Sequence, residues 1–364
     1  MKRFKGLIPD IQQPISTATD FWKFGTIENG KKVIDPLLHY GCFVLGFDRY
    51  DIVDYVHDQI KVKPEVAENI IKNEPLRLNH ASFELADKLH DMTGYNSIFA
   101  LSGSDANEGA VKLASAYHKI KGNHRNKIVC FENSYHGSTY LNYNMGDSLF
   151  HDPYYTLSKM DSVIRLKRDF LLSDCNWDSI MCIMVETCSY GAGLAPNSIE
   201  FWNKLTQIQK QHDVIVIIDD IFIGGGKTGT FTGWQNLPIK PDIATMGKAI
   251  TAGFFPLSIT MYNQRINEIL PEQFDWQHGF TYSFSLPGIF STLKYIEILE
   301  QEKLLDRHND IVLISKKIFN SAGYDVIGCF GTLFQIKRNN KEAFFIVPIN
   351  ATDEYFSVLK EQIA

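Results

Sequence analysis

Six short runs constrain this chain more than any other feature. They are Ser97–Leu101, Lys127–Phe131, Met181–Val185, Val214–Ile218, Asp242–Thr245 and Leu257–Met261. Most are apolar throughout instead of alternating with polar residues, the pattern of strands covered on both faces. Between them lie stretches with helical periodicity. In Ala106–Lys121, the residues Ala110, Val111, Leu113, Ala114 and Tyr117 form one apolar stripe. In Ser198–His212, Phe201, Leu205, Ile208 and Gln209 fall near one face. Strands alternating with helices predict an α/β fold with a mostly parallel central sheet flanked by helices. The expected organisation is a large domain over 49–285, with 1–48 and 286–364 folding together as a small α+β domain.

Charge narrows the partners. A net charge of −6 and a pI near 6.0 supply no basic field for nucleic acid or an anionic membrane. The N-terminal stretch Met1–Gly6 is basic, but no long apolar segment follows, so neither a signal peptide nor a membrane span is expected. Six scattered cysteines without a CxxC pair predict buried free thiols in a reducing cytoplasm and no metal site.

In open parallel sheets, ligands bind beyond the carboxyl ends of the strands. The first run ends in Ser102-Gly103-Ser104 before a helix, where a serine cap and free N–H groups suit a phosphate or simply begin a helix. The second ends in Tyr135-His136-Gly137, which suits stacking on a flat ring or an ordinary surface turn. The third and fourth deliver Glu186 and Asp219-Asp220, acids that need a partner if buried. A cationic ring nitrogen, a helix cap or a salt bridge would each serve. The fifth delivers Lys248, whose pKa falls if it is desolvated, leaving an amine able to form a Schiff base.

"IIDDIFIGGGKTG" (Ile217–Gly229) superficially offers a different phosphate site. A phosphate loop needs a glycine at position 221, which is Ile221, and its glycines directly after the strand, where Asp219 and Asp220 stand. The segment is therefore taken as a loop, with the chemistry in the acids. A phosphate seat, an aromatic plate, an acid for a ring nitrogen and a desolvated lysine together describe a site for pyridoxal 5'-phosphate.

The order of the motifs resembles the class III pyridoxal-phosphate aminotransferases, the fold type I family that includes acetylornithine, ornithine, ω-amino acid and diaminopelargonate aminotransferases. The resemblance runs from about Gly25 to Leu299. It is carried in order by "LSGSDANEGAVKLA", "ENSYHGST", "IMVETCSYGAG", "VIIDDIFIGGGKTGTFTGW", "KPDIATMGKAITAGFFPLS" and "HGFTYSFSLP". It implies Lys248 as the Schiff-base lysine and proton shuttle, and Asp219 as the partner of the pyridinium nitrogen. Ile221 would pack under the ring and Tyr135 above it, with His136 and Glu186 nearby. Gly103 and Ser104 would hold the phosphate. Thr281 would reach the phosphate of a neighbouring subunit, making a homodimer the functional unit. His39 and Tyr40 fall where the family places substrate contacts.

Three departures accompany the resemblance. Asp220 replaces the usual glutamate, Phe222 the glutamine that bonds the ring oxygen in many members, and Lys227 the usual arginine. The C-terminal region is short, and Arg338 has no assigned place in the motif that supplies a carboxylate-binding arginine. The expected activity is transfer of an amino group from an amine or amino acid donor to a keto or aldehyde acceptor. An ω-amine or a diaminopelargonate-like amino-keto acid is the favoured substrate. The alternatives are an aminomutase of the glutamate-1-semialdehyde type and a non-catalytic relic of the family.

Overall fold

A computed structural model describes residues 21–62, 80–147, 154, 160–194 and 196–364. The basic N-terminal stretch lies outside the described residues. The described chain opens with a three-stranded antiparallel sheet, β1 (Phe21–Trp22), β2 (Gly25–Glu28) and β3 (Lys31–Ile34). A seven-stranded sheet follows, built from β4 (Asn96–Ala100), β5 (Lys127–Phe131), β6 (Val163–Leu166), β7 (Ile180–Glu186), β8 (Ile215–Asp219), β9 (Ile243–Met246) and β10 (Ser258–Tyr262). Their spatial order is β4-β10-β9-β8-β7-β5-β6. The five strands from β9 to β6 are mutually parallel, while β10 runs antiparallel to both β4 and β9. Each expected run became a strand with ends shifted by no more than one residue. β6 was not among them: it is a short edge strand with Arg165 at its centre, and an edge needs no uninterrupted apolar run.

The uniform hydrophobicity of these runs has a direct cause. On one face of the sheet Ile128, Cys182, Met184, Ile215, Ile217 and Ile243 pack with Ala110, Val111, Leu113, Ala114 and Tyr117 of the Gly103–Ile120 helix. On the other, Val129, Ile183, Val185, Val216, Ile218 and Ala244 join a larger core with Phe201, Leu205 and Ile208 of the Ile199–His212 helix. Burying each such Val or Ile contributes about 1.5–3 kcal/mol, so both faces stabilise the sheet.

Parallel register then sets up the site. Glu186 pairs with Asp219, and Asp219 with Thr245. Thr245 in turn lies opposite Thr260 of β10. Paired residues on adjacent strands share a face. These four therefore make one polar row where the apolar strands end, beneath the start of the Gly103–Ile120 helix.

The last part of the chain adds helices Leu286–Gln301, His308–Ser321 and Asp353–Ile363 and an antiparallel sheet of β11 (Asp325–Phe330), β12 (Leu333–Arg338) and β13 (Lys341–Ile346). Trp22, Phe24 and Ile34 share a core with Ile318, Phe319, Phe334, Phe345, Tyr355 and Leu359, so the first and last described parts of the chain pack together. Among the described residues no helix is long and apolar enough to cross a membrane.

Candidate active site

The carboxyl ends of the strands open into a cavity of about 480 Å³. Lys248, Asp219, Glu186, Tyr135, His136, Ile221, Gly103, Ser104, His39 and Tyr40 all line it. Every expected site residue except Thr281 is thus in one place. Thr281 is exposed and lies outside the cavity of its own chain.

Asp219, at the end of β8, is buried and held from three directions. Its Oδ2 accepts from Asn107 Nδ2 at 2.8 Å and faces His136 Nδ1 at 2.9 Å. Its Oδ1 accepts from the Ile221 backbone N–H at 3.2 Å. Asn107 is itself fixed, donating to His136 O at 2.8 Å and accepting from Thr245 Oγ1 at 2.7 Å. The carboxylate therefore has one defined orientation, the requirement for a group that must meet a partner in fixed geometry.

Lys248 follows β9 through Gly247. A Cβ at Gly247 would stand 2.6 Å from Ser258 Oγ and 3.4 Å from Ile221 Cγ2. A Cβ at Gly103 would stand 2.9 Å from Ile221 Cδ1. The two glycines thus bring the backbone close to both sides of Ile221 and fix its side chain. Lys248 has φ 51°, a left-handed conformation costly for a residue with a Cβ. Its Nζ lies 4.7 Å from the centre of the Phe222 ring. Burial pulls its pKa below the usual lysine value, opposed by Cys42, Asp219 and Glu186. Glu186 shows the opposite response: burial raises its pKa to about 7, against the pull of His136 and with the help of Asp219. Its Oε2 accepts from the Tyr135 N–H at 3.3 Å.

The phosphate-like seat is the start of the Gly103–Ile120 helix. Ser102, rather than Ser104, is the cap: its Oγ accepts from Asp105 N at 3.2 Å. The first helical bond is Ala106 N to Ser102 O at 2.9 Å, so the N–H groups of Gly103 and Ser104 have no partner within the helix. Ser104 Oγ accepts instead from Ser138 N at 3.1 Å, which clamps the turn after Tyr135 onto the helix start. A Cβ at Gly137 would lie 2.2 Å from that hydroxyl oxygen, and its φ of 120° also favours glycine.

His39 and Tyr40 sit on an unusual turn. Leu38, His39, Tyr40 and Gly41 have φ of 45°, 50°, 56° and 77°, one turn of left-handed helix. Asp35 ties its start, with Oδ1 accepting from Leu37 N and Oδ2 from His39 N, both at 2.9 Å.

Several lining residues escaped the sequence reading, among them Asn107, Cys42, Cys188 and Tyr190. Asn107 carried a usable signal: it lies three and four residues before Ala110 and Val111, a polar residue on the apolar stripe. Among the described residues no arginine lines the cavity. Arg338 is occupied elsewhere, donating to Ala322 O at 2.9 Å and Ile363 O at 3.3 Å and stacking on Tyr324. Asp220, beside Asp219, faces away from the chemistry. It accepts from Thr187 Oγ1 at 2.5 Å and Gly233 N at 2.7 Å, and so shapes the following loop.

Comparison with known proteins places the sequence and the fold. Residues 23–328 match the family model for class III aminotransferases. The Bacillus subtilis (strain 168) protein called uncharacterized aminotransferase YhxA is 28% identical over 316 residues, covering 79% of this chain and 67% of that one. Acetylornithine aminotransferase of Aquifex aeolicus (strain VF5) is 31% identical over 238 residues, covering 62% of this chain and 59% of that one. The chain thus spans about two thirds of the length of such relatives. The crystal structure of adenosylmethionine-8-amino-7-oxononanoate aminotransferase from Methanocaldococcus jannaschii superposes with a TM-score of 0.78 at 20% identity, over 92% of this chain and 88% of that one. That likeness concerns the fold. With the family model spanning most of the sequence, the chain belongs to the class III aminotransferase family, whose members work with pyridoxal phosphate.

Proposed function

We propose that this protein catalyses transamination with pyridoxal 5'-phosphate held at Lys248. The observation that carries the reading is the shared cavity of a desolvated Lys248 and a carboxylate, Asp219, fixed by Asn107, His136 and the Ile221 N–H. The residues fit the cofactor. Gly103 and Ser104 offer N–H groups at a helix start for the phosphate. Tyr135 and the pinned Ile221 offer two surfaces for a flat ring. Buried His136 Nε2, on a ring that borders the cavity, has no hydrogen-bond partner among the described residues, as befits a site that a polar ligand fills.

When bound, pyridoxal phosphate supplies an electron sink that stabilises a carbanion at the substrate carbon. The chain supplies the rest. Asp219, an acceptor held in place, keeps a proton on whatever nitrogen faces it. Lys248 Nζ, its pKa lowered by burial, would serve as the nucleophilic amine and would carry a proton between the two carbons on either side of an imine nitrogen. Glu186 presents a carboxyl group that takes up a proton near neutrality.

The donor is read as an ω-amine or a diaminopelargonate-like amino-keto acid bound through its tail. Support comes from Tyr40, Cys42, Cys188, Tyr190, Phe222 and Ile223 along the wall, with no arginine of this chain to clamp a carboxylate among the described residues. The acceptor is a keto acid or aldehyde. A homodimer, with Thr281 reaching the neighbouring site, is part of the proposal; Thr281 is exposed between Phe280 and Tyr282, themselves 59% and 71% exposed. The division into 1–48 and 286–364 as one small domain beside 49–285 is likewise proposed, supported by the core shared between the first and last described parts of the chain.

The test uses purified protein loaded with pyridoxal phosphate. Borohydride treatment followed by peptide mass spectrometry should place the cofactor on Lys248. The visible band should bleach with an amine donor alone and return on adding a keto acid. Return without a second substrate would favour the aminomutase instead. A protein that takes up no cofactor would end the proposal.

A further inference from the structure

Lys227 belongs to the glycine-lysine segment that the phosphate-loop comparison set aside, and the cavity lining does not include it. It is nevertheless fully buried. Its Nζ donates to Gly224 O at 2.5 Å and Gly41 O at 3.4 Å. Its own carbonyl accepts from Thr332 N at 2.8 Å. One residue therefore joins three segments: the loop after Asp220, the turn that ends at Gly41, and the hairpin between β11 and β12.

We propose that Lys227 is a positioning residue for substrate binding, holding from behind the left-handed turn Leu38–Gly41 that presents His39 and Tyr40 to the cavity. The turn needs such a tether. Left-handed backbone is costly at each of its three non-glycine residues, and persists only where surrounding structure fixes it. Asp35 fixes the front of the turn through Leu37 N and His39 N. At the back, Gly41 O meets Lys227. Gly224, the other acceptor, closes on Asp220 through Gly224 N to Asp220 O at 2.8 Å. The lysine thus sets the distance between the substrate-facing turn and the strand end that carries Asp219. A Cβ at Gly41 would lie 3.7 Å from Lys227 Cε and 3.7 Å from Phe222 Cε2, so the turn already packs against both.

The alternative is that Lys227 merely fills space. A cation buried against two carbonyls is an expensive filler, because its desolvation is poorly repaid. A methionine of similar length would fill the same volume without that penalty but could not hold Gly41 O. Burial lowers the Lys227 pKa to about 7, against Cys42 and Asp220 and with the Lys248 charge, so its ammonium form predominates at pH 6.

The experiment compares the full chain with Lys227→Met and Lys227→Arg. Amide hydrogen exchange at pH 6 reads the turn directly. Protection over residues 38–43 should fall about tenfold in Lys227→Met, the size of one lost charge-assisted hydrogen bond, while the Gly103–Ile120 helix is unchanged. Lys227→Arg should restore it. In cofactor-loaded protein, KM for the amine donor should rise about tenfold in Lys227→Met with kcat and the visible band unchanged. Unaltered exchange over 38–43 overturns the proposal. So does a lower kcat at constant KM, which would place Lys227 in the environment of Lys248 instead. If Lys227→Met does not fold, Lys227→Leu, which also lacks a donor for Gly41 O, takes its place under the same criteria. The kinetic arm rests on the transamination reading and the exchange arm does not. A wild-type protein that never bleaches with amines would end that reading while leaving the tether to be decided by exchange.

Discussion

Replacing Asn107 by leucine probes the support of the site at its least visible point. The substitution roughly conserves volume and removes three buried hydrogen bonds: to Asp219 Oδ2 (2.8 Å), to His136 O (2.8 Å) and from Thr245 Oγ1 (2.7 Å). The bond to the carboxylate contributes about 1.5–3 kcal/mol and each neutral bond about 1 kcal/mol. Leucine returns about 1–2 kcal/mol through apolar burial. The expected net loss is about 1.5–4 kcal/mol. The partner Thr245 sharpens the test. In the wild type, Thr245→Val should cost about 1 kcal/mol, because it leaves Asn107 Oδ1 without its donor. In Asn107→Leu, the Thr245 hydroxyl is itself buried and unpaired, so the same Thr245→Val change should stabilise by about 1 kcal/mol. The sign of the threonine substitution therefore reverses with its background. Urea unfolding of the four cofactor-free proteins measures this cycle. Two effects that simply add, to within about 0.5 kcal/mol, would refute the reasoning, since contacting residues in one network must couple. Cofactor affinity should also fall about tenfold in Asn107→Leu, because Asp219 keeps only two of its three restraints.

Two further outcomes follow from burial and backbone. Glu186 has its pKa raised to about 7 in the folded chain, from an ordinary 4.5, with burial the largest cause. The folded state then holds the proton more tightly than the unfolded one, so this group lowers stability as pH rises from about 4.5 to 7. Glu186→Gln removes that dependence, and its melting temperature relative to wild type should climb between pH 5 and 8; a constant difference would contradict the assignment. At Gly225, φ is 80° and a Cβ would lie 2.6 Å from Ala249 Cβ, whereas Gly30, with φ 74°, has open space around it. Gly30→Ala should therefore cost about 1 kcal/mol of backbone strain and Gly225→Ala about 2 kcal/mol or more, read from melting temperatures, and equal losses would show that packing at Gly225 is loose.

The sequence by itself determined the layered sheet and which residues stand at its edge. Runs such as Val214–Ile218 have no polar face to offer water, so they had to be covered on both sides, and strand ends followed within one residue. What lies just beyond such a run is also local information. That is why Asp219, Lys248, Tyr135 and Glu186 could be named before any contact was known, and why one cavity collects them. The tertiary structure alone decided the rest, because it depends on residues far apart in the chain. The place of β10 between β9 and β4 is set by pairing with β4, from which more than a hundred residues separate it. Asn107 stands out in the sequence only as a polar residue on an apolar stripe, and its task is set when β8 and β9 bring Asp219 and Thr245 beneath it. Lys227 reads as a loop lysine until the N-terminal turn and the C-terminal hairpin close over it. Hydrophobic periodicity reports which side of an element is buried; it carries no record of which distant donor or carbonyl will lie there, and those fixed the orientation of Asp219 and the hold on His39 and Tyr40.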